Sequence, residues 1–199
     1  MIPKPDAGRA SDAGPDDSRS VDTRPVATLP AVEAPRRLVL DTNVCLDLFV
    51  FRDPRWAALL SALRHSKVQA YTRADCRMEW TLVLAYTRLG LDAAQQAAAL
   101  AEFDRLIALV PDREANDAIR LPVCRDPDDQ KFIELAASCG AEALVTKDKL
   151  VLKLARKMKK LASFRILSPE QWMAEWMTCV ASPGPMPATE ARSAIVQDR

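Results

Sequence analysis

The chain has 199 residues, 49% of them hydrophobic and 28% charged, the balance of an ordinary globular protein rather than a disordered or fibrous one. Its 28 Lys and Arg against 27 Asp and Glu leave a net charge of +1, so no bulk field draws it to nucleic acid and any such binding needs a local patch. No run of about 18 apolar residues is present, which excludes a membrane-spanning helix.

Residues 1–35 carry Pro3, Pro5, Pro15, Pro25, Pro30 and Pro35 with almost no large apolar side chains. Such a segment buries too little surface to offset its ordering entropy, and the expectation is a disordered extension. Its opening, MIPKPDAGRASDAGPDD, has no hydrophobic core of a secretory signal. Residues 36–179 form the predicted body, and 180–199 read as a flexible tail. The five cysteines, Cys45, Cys76, Cys124, Cys139 and Cys179, are far apart and form no C-x-x-C pair. They read as small core hydrophobes of a reduced, cytoplasmic protein.

Within the body, short apolar runs alternate with helical patterns. Strands are predicted at 38–40, 68–71, 119–121, 143–146 and 164–167. Helices are predicted at 43–51, 54–65, 73–89, 92–109, 127–139, 149–161 and 169–178. Asp126-Pro127 reads as an N-cap followed by Pro at the first helical position, and Gly140 stands where a helix C-cap belongs. Strands alternating with helices imply an α/β fold, with a parallel sheet covered on both faces. In such sheets the site lies beyond the carboxyl ends of the strands.

Acids gather at the positions this rule selects. Asp41 directly follows the strand Leu38–Leu40, and Asp148 nearly directly follows Ala143–Thr146. Glu79 borders the apolar face formed by Cys76, Trp80, Val83 and Leu84 on its helix. Asp129 lies on the inward stripe of the helix carrying Phe132, Ile133 and Ala136, with Asp126 and Asp128 beside it. Singly, each acid is explained as a cap or an ion-pair partner: Asp41 and Asp148 can cap the helices that follow, and Glu79 can pair with Arg73, Arg77 or Arg120. Together, two strand-end acids and two helix-borne acids suit hard cations such as Mg²⁺, which take oxygen ligands. Without a cation, two carboxylates about 4 Å apart repel by roughly 4 kcal/mol at an effective dielectric of 20. Bound ions of this kind polarise phosphates and activate water for phosphodiester hydrolysis. His65 is the only histidine, so a His-based triad has little material, and it reads as a residue near a helix end.

The order of these pieces resembles the PIN-domain nucleases. Leu38-Val39-Leu40-Asp41-Thr42-Asn43 is similar to that family's opening strand with its D-T-N motif, and Glu79 falls where the family keeps a helix-borne glutamate. Asp126-Pro127-Asp128-Asp129, running on to Leu135-Ala136, is similar to the D-P-D-D signature of one branch. Thr146-Lys147-Asp148 looks like its closing T-x-D. That branch is described as the toxin component of bacterial toxin–antitoxin systems, akin to VapC toxins. The resemblance covers about residues 37–175.

It implies a three-layer α/β/α sandwich around a mostly parallel sheet, and a hydrolase that cuts RNA with Mg²⁺ or Mn²⁺. It carries the catalytic, metal-binding role to Asp41, Glu79, Asp129 and Asp148, with Asp126 as a further metal-site acid. Thr42, Asn43 and Thr146 would orient them by hydrogen bonds. Leu150 stands where the branch often has a further acid, and Lys147 where a glycine is typical. The implied partners are RNA, a small antitoxin protein and a second copy of the chain as a homodimer. The alternative is a catalytically weak PIN-like module that binds RNA or protein.

From Lys147 to Lys160 the chain carries Lys147, Lys149, Lys153, Arg156, Lys157, Lys159 and Lys160, with only Asp148 against them. A phosphate backbone reaching an acidic pocket needs neighbouring cations. The first five are therefore the candidate RNA contacts, the plain alternative being a solvated helix face. Trp172, Met173, Trp176 and Met177 read as core packing of the last helix, any exposed part being available to a dimer or an antitoxin helix.

Overall fold

The computed structural model describes residues 34–112, 120–161 and 164–181. The predicted extension, but for Ala34 and Pro35, and nearly all of the predicted tail lie outside the described residues.

Five strands form one sheet: β1 (Arg36–Leu40), β2 (Val68–Thr72), β3 (Ile107–Leu109), β4 (Ala143–Val145) and β5 (Arg165–Leu167). Their order is β3-β2-β1-β4-β5, and every pairing is parallel. Successive side chains of a strand point to opposite faces, and both faces here are covered. Leu38, Leu40, Ala143 and Val145 belong to one core with Val44, Leu48, Leu59, Trp80, Phe103 and Trp172. Val39, Leu144 and Ile166 belong to a second core with Phe132, Ile133, Leu135 and Met158. The α/β sandwich expected from the sequence is therefore present as three layers.

Eight α-helices are defined among the described residues: α1 (Thr42–Cys45), α2 (Ala57–Arg64), α3 (Ala74–Leu84), α4 (Ala93–Leu106), α5 (Gln130–Ser138), α6 (Lys149–Leu152), α7 (Ala155–Leu161) and α8 (Pro169–Ala181). The first continues into a π-helical turn, Leu46–Val50. The capping box of α4 is complete: the Asp92 side chain accepts from Gln95 N–H, and the Gln95 side chain accepts from Asp92 N–H. Gly140, just past α5, has φ +61°, the left-handed conformation that stops a helix at little cost for glycine. His65 ends α2, with Nδ1 2.8 Å from Ser61 O.

The architecture departs from the sequence reading in five places. The third strand is Ile107–Leu109, inside the helix expected over 92–109. Its backbone pairs with Ala70–Thr72 of β2, which extends the sheet and outweighs the helical spacing of its apolar residues. Arg120 and Leu121, expected in a strand, are irregular, and Ile119 lies outside the described residues. The helix expected over 73–89 stops at Leu84, followed by a 3₁₀ turn (Thr87–Leu89) that Gly90 closes at φ +62°. The helix expected over 149–161 is two short ones, α6 and α7. At the other end of the body, α8 runs on to Ala181, beyond the predicted boundary at 179.

The direction of chain winding reverses between β1 and β4: β2 and β3 lie on one side, β5 on the other. The carboxyl ends of these two central strands border the crevice where parallel sheets bind ligands.

Candidate active site

Asp41 is the first residue beyond β1, and its N–H donates to Val145 O at 3.0 Å, which locks the two strand ends together. Its side chain is 4% exposed. Oδ2 accepts from Thr146 Oγ1 at 2.5 Å and from Asn43 Nδ2 at 2.7 Å. Oδ1 receives only a long contact from Asn43 N, at 3.4 Å. One carboxylate oxygen is thus anchored and the other is nearly uncommitted. Burial pushes the Asp41 carboxyl above its ordinary value; the bonds from Thr146 and Asn43 pull the other way, and the charge of Glu79 pushes it up again.

Asp148 repeats the arrangement. Oδ1 caps α6, accepting from Leu150 N at 2.6 Å and from Val151 N at 3.1 Å, while Oδ2 has no donor among the described residues. Its own N–H donates to Thr146 Oγ1 at 2.9 Å. Thr146, fully buried, therefore links the two strand-end acids through one hydroxyl. Asn43 braces the same loop, accepting from Lys147 N at 3.0 Å. Two of the three orienting residues implied by the resemblance, Asn43 and Thr146, make these bonds. Thr42 is buried in the first turn of α1, and no bond joins its side chain to an acid among the described residues.

Asp126 caps the 3₁₀ turn Pro127–Asp129, its Oδ1 accepting from Asp128 N at 3.0 Å. Asp129 is different. It sits at the start of α5 in helical conformation, with no capping bond and no donor to its side chain among the described residues. Its carboxyl is pushed up to about 7, first by burial and then by the charges of Asp41, Asp148, Asp126 and Glu79. The other four candidate metal-site acids thus act on this one. Their fields converge at the carboxyl edge of the sheet.

Glu79 stands on α3 beside Trp80, which stacks on Phe103 at 5.3 Å and meets Phe49 edge-on at 6.1 Å. This aromatic cluster fixes the helix. The partner of Glu79 is Lys131 of α5, whose Nζ lies 2.5 Å from Oε2. Arg73, Arg77 and Arg120 do not take that place: Arg73 binds Asp75 and Arg77 binds Asp104. Burial works to lower the Lys131 ammonium, and the bond to Glu79 together with the negative charge of Glu79 and its neighbours leaves the group above its ordinary value.

The basic residues divide. Lys147 is bound to Asp47, Nζ to Oδ2 at 2.7 Å. Asp47 is 5% exposed and also accepts from Trp56 Nε1 at 3.1 Å. Lys149, Lys153, Arg156 and Lys157 are exposed and pair with no acid among the described residues. Asp47 and Lys131 were not found from the sequence. A lone acid inside the apolar run Leu46–Val50 was the available signal for the first; for the second, only the contact between α3 and α5 shows it.

The donor set fits hard cations: every candidate group is a carboxylate oxygen, and Asp41 and Asp148 each keep one oxygen with little or no hydrogen bonding. The side chains stand apart as placed. Among the described residues no three of His, Cys, Asp or Glu are close enough to hold one ion in common. Mg²⁺ needs only one or two carboxylates and keeps its waters, so this spacing is within its habits.

No curated protein matches the chain. Among solved structures, VapBC2 from Rickettsia felis bound to a DNA fragment from their promoter is similar at 12% identity and a TM-score of 0.45, covering 66% of this chain and 98% of that one. The sequence model of the PIN domain matches residues 37–150, more than half of the chain, a span that holds all five acids. The chain belongs to the PIN-domain family.

Proposed function

We propose that this protein is a divalent-metal-dependent ribonuclease that hydrolyses RNA phosphodiester bonds as the toxin of a toxin–antitoxin pair. The observation that carries the nuclease reading is Asp129. A carboxylate without a donor among the described residues, half-hidden from water and acted on by four more acids, costs stability unless a cation answers it. Asp41, Glu79, Asp126, Asp129 and Asp148 would hold Mg²⁺ or Mn²⁺, each ion through one or two carboxylates with water completing its shell. When bound, such an ion polarises the phosphate and activates water. Thr146 and Asn43 keep the acids aimed, so little reorganisation is left for the reaction. Exposed Lys149, Lys153, Arg156 and Lys157, just beyond Asp148, supply the cations that a phosphate backbone needs. The absence of an aromatic stacking block and of a Gly-rich phosphate loop fits recognition through the backbone.

The toxin assignment implies a small antitoxin as partner. Exposed Met78, Leu82 and Tyr86 on or just after α3, and Met177 and Val180 on α8, are the apolar side chains such a partner or a second copy would cover. No helix among the described residues is long and apolar enough to cross a membrane. We place the protein in the cytoplasm, where its five free cysteines stay reduced.

A second reading, a PIN-like module that binds RNA or protein with weak catalysis, draws support from the hold of Lys131 on Glu79. One experiment separates the two. Purified protein is incubated with generic RNA and Mg²⁺ or Mn²⁺, with EDTA, and as Asp41→Asn. Metal-dependent cleavage that the variant loses supports the nuclease; no cleavage, or cleavage unchanged in the variant, defeats it.

A further inference from the structure

One residue of the loop Thr146–Asp148 is gripped twice by the same stretch of helix. Lys147 donates its backbone N–H to Asn43 Oδ1 at 3.0 Å and its ammonium to Asp47 Oδ2 at 2.7 Å. Asn43 lies on α1, and Asp47, four residues on, lies in the π-helical turn that continues it. Successive turns of one helical stretch thus present both acceptors. That stretch starts from Asp41, its N-cap. The gripped loop ends at Asp148, whose N–H donates to Thr146 Oγ1 at 2.9 Å. The two strand-end acids are therefore tied together through Lys147 as well as through Thr146.

The far end of the grip is itself fixed. Asp47 is buried, and its Oδ2 also accepts from Trp56 Nε1 at 3.1 Å. Trp56 packs into the core of Leu38 and Leu40, and Asp53 N–H donates to Asp47 O at 3.0 Å, which closes the turn around the acid. A buried carboxylate is costly unless it is paired and hydrogen-bonded. An apolar side chain at 47 would avoid that cost and give the loop nothing to hold. Any residue but proline at 147 could donate its N–H to Asn43. The bond to Asp47 needs the lysine side chain.

We propose that Lys147 and Asp47 act as one positioning unit: their ion pair holds the loop Thr146–Asp148 against the helix that starts at Asp41, and so fixes Asp148 relative to Asp41. Its consequence for catalysis rests on the ribonuclease reading; the hold on the loop is tested without RNA.

Two variants separate positioning from stability. Lys147→Met loses the ammonium and leaves Asp47 buried and unpaired, so it melts lower than the wild type. Lys147→Met combined with Asp47→Asn removes the unpaired charge and keeps an acceptor for Trp56, so most of the stability returns while the hold does not. Hydrogen exchange of the full-length protein, followed by nuclear magnetic resonance, reads the Lys147 and Asp148 amides against those of β4 as an internal reference. Relative to β4, loop exchange should rise about tenfold in both variants and stay within about threefold in Lys147→Arg, which keeps the charge. With RNA and Mg²⁺, kcat should fall about tenfold in both variants with KM within about twofold, and Lys147→Arg should recover most of it. Loop exchange that does not change relative to β4 in the double variant overturns the proposal. So does a double variant that regains the wild-type kcat along with its stability, or a Lys147→Met that raises KM and leaves kcat alone, which would make Lys147 an RNA contact. A wild type that cuts no RNA, with a loop that still opens in both variants, defeats the ribonuclease reading and leaves the hold on Asp148 standing.

Discussion

Thr146 Oγ1 donates to Asp41 Oδ2 across 105 residues of sequence. The same oxygen accepts from Asp148 N. A single buried hydroxyl thus sets the side chain of one strand-end acid and the backbone of the other, at the junction where the winding of the sheet reverses. Thr146→Val keeps the shape and removes both bonds. Burying an unsatisfied N–H and freeing a buried carboxylate oxygen is expected to cost about 1–3 kcal/mol, read as a lower urea midpoint. RNA cleavage falls about a hundredfold through misplacement of the acids, and Thr146→Ser restores most of both.

Asp129 makes the opposite prediction for stability. Its carboxyl is raised first by burial and then by four like charges, and it receives no hydrogen bond among the described residues. In EDTA at pH 8, Asp129→Asn should be more stable than the wild type, by about 1–3 kcal/mol once solvent exposure is discounted. Cleavage should be lost in the same variant. A wild-type midpoint equal to or above that of the variant would show that neither burial nor the neighbouring acids disfavour the Asp129 charge in the folded protein.

This pattern of a costly centre in a sound scaffold explains what could be read from the chain alone. Leu38–Leu40 and Ala143–Val145 are uninterrupted apolar runs that end in polar residues, so both strands and both strand-end acids were legible. The parallel sheet covered on both faces then followed from the alternation with helices, while the order of its strands did not. Ile107–Leu109 was not legible, because it continues the apolar spacing of α4 with no breaker between them and becomes a strand only by pairing with β2. The pair Glu79–Lys131 was hidden for a similar reason: the two residues lie on separate helices, and nothing local to either marks the other. Asp47 was passed over because its neighbours, Leu46, Leu48 and Phe49, made the segment look wholly apolar.

Asp75 sets a pH response outside the site. Its bidentate bond to Arg73 holds its carboxyl down to about 2, against the cost of burial. The folded value lies below the unfolded one near 3.9, so the contribution is complete above about pH 4 and is lost as pH falls through 4 toward 2. The side chain is well exposed, which limits the effect to about 1 kcal/mol. Asp75→Asn should be less stable than the wild type at pH 6 and nearly equal to it at pH 2.5. Thermal melts across that range would show a constant difference if the pair contributes nothing through ionisation.

The last prediction concerns which lysines meet RNA. Lys147 was the first candidate from the sequence, but its ammonium is committed to Asp47, which is buried and also holds Trp56. Removing Lys147 leaves a buried carboxylate short of its counter-charge, a structural loss of about 3 kcal/mol. Lys153, Arg156 and Lys157 carry no such obligation among the described residues, so each can release a counterion when it meets a phosphate. With Asp41→Asn as a background that binds without cutting, the slope of log affinity against log salt gives the number of contacts, about 0.7 for each on a single strand. Lys153→Ala, Arg156→Ala and Lys157→Ala should each lower the slope by about that amount, at little cost in stability. Lys147→Ala should lower the melting temperature and leave the slope where it was. If the slope responds to Lys147 and not to the other three, the backbone runs past the π-helical turn instead of along α6 and α7.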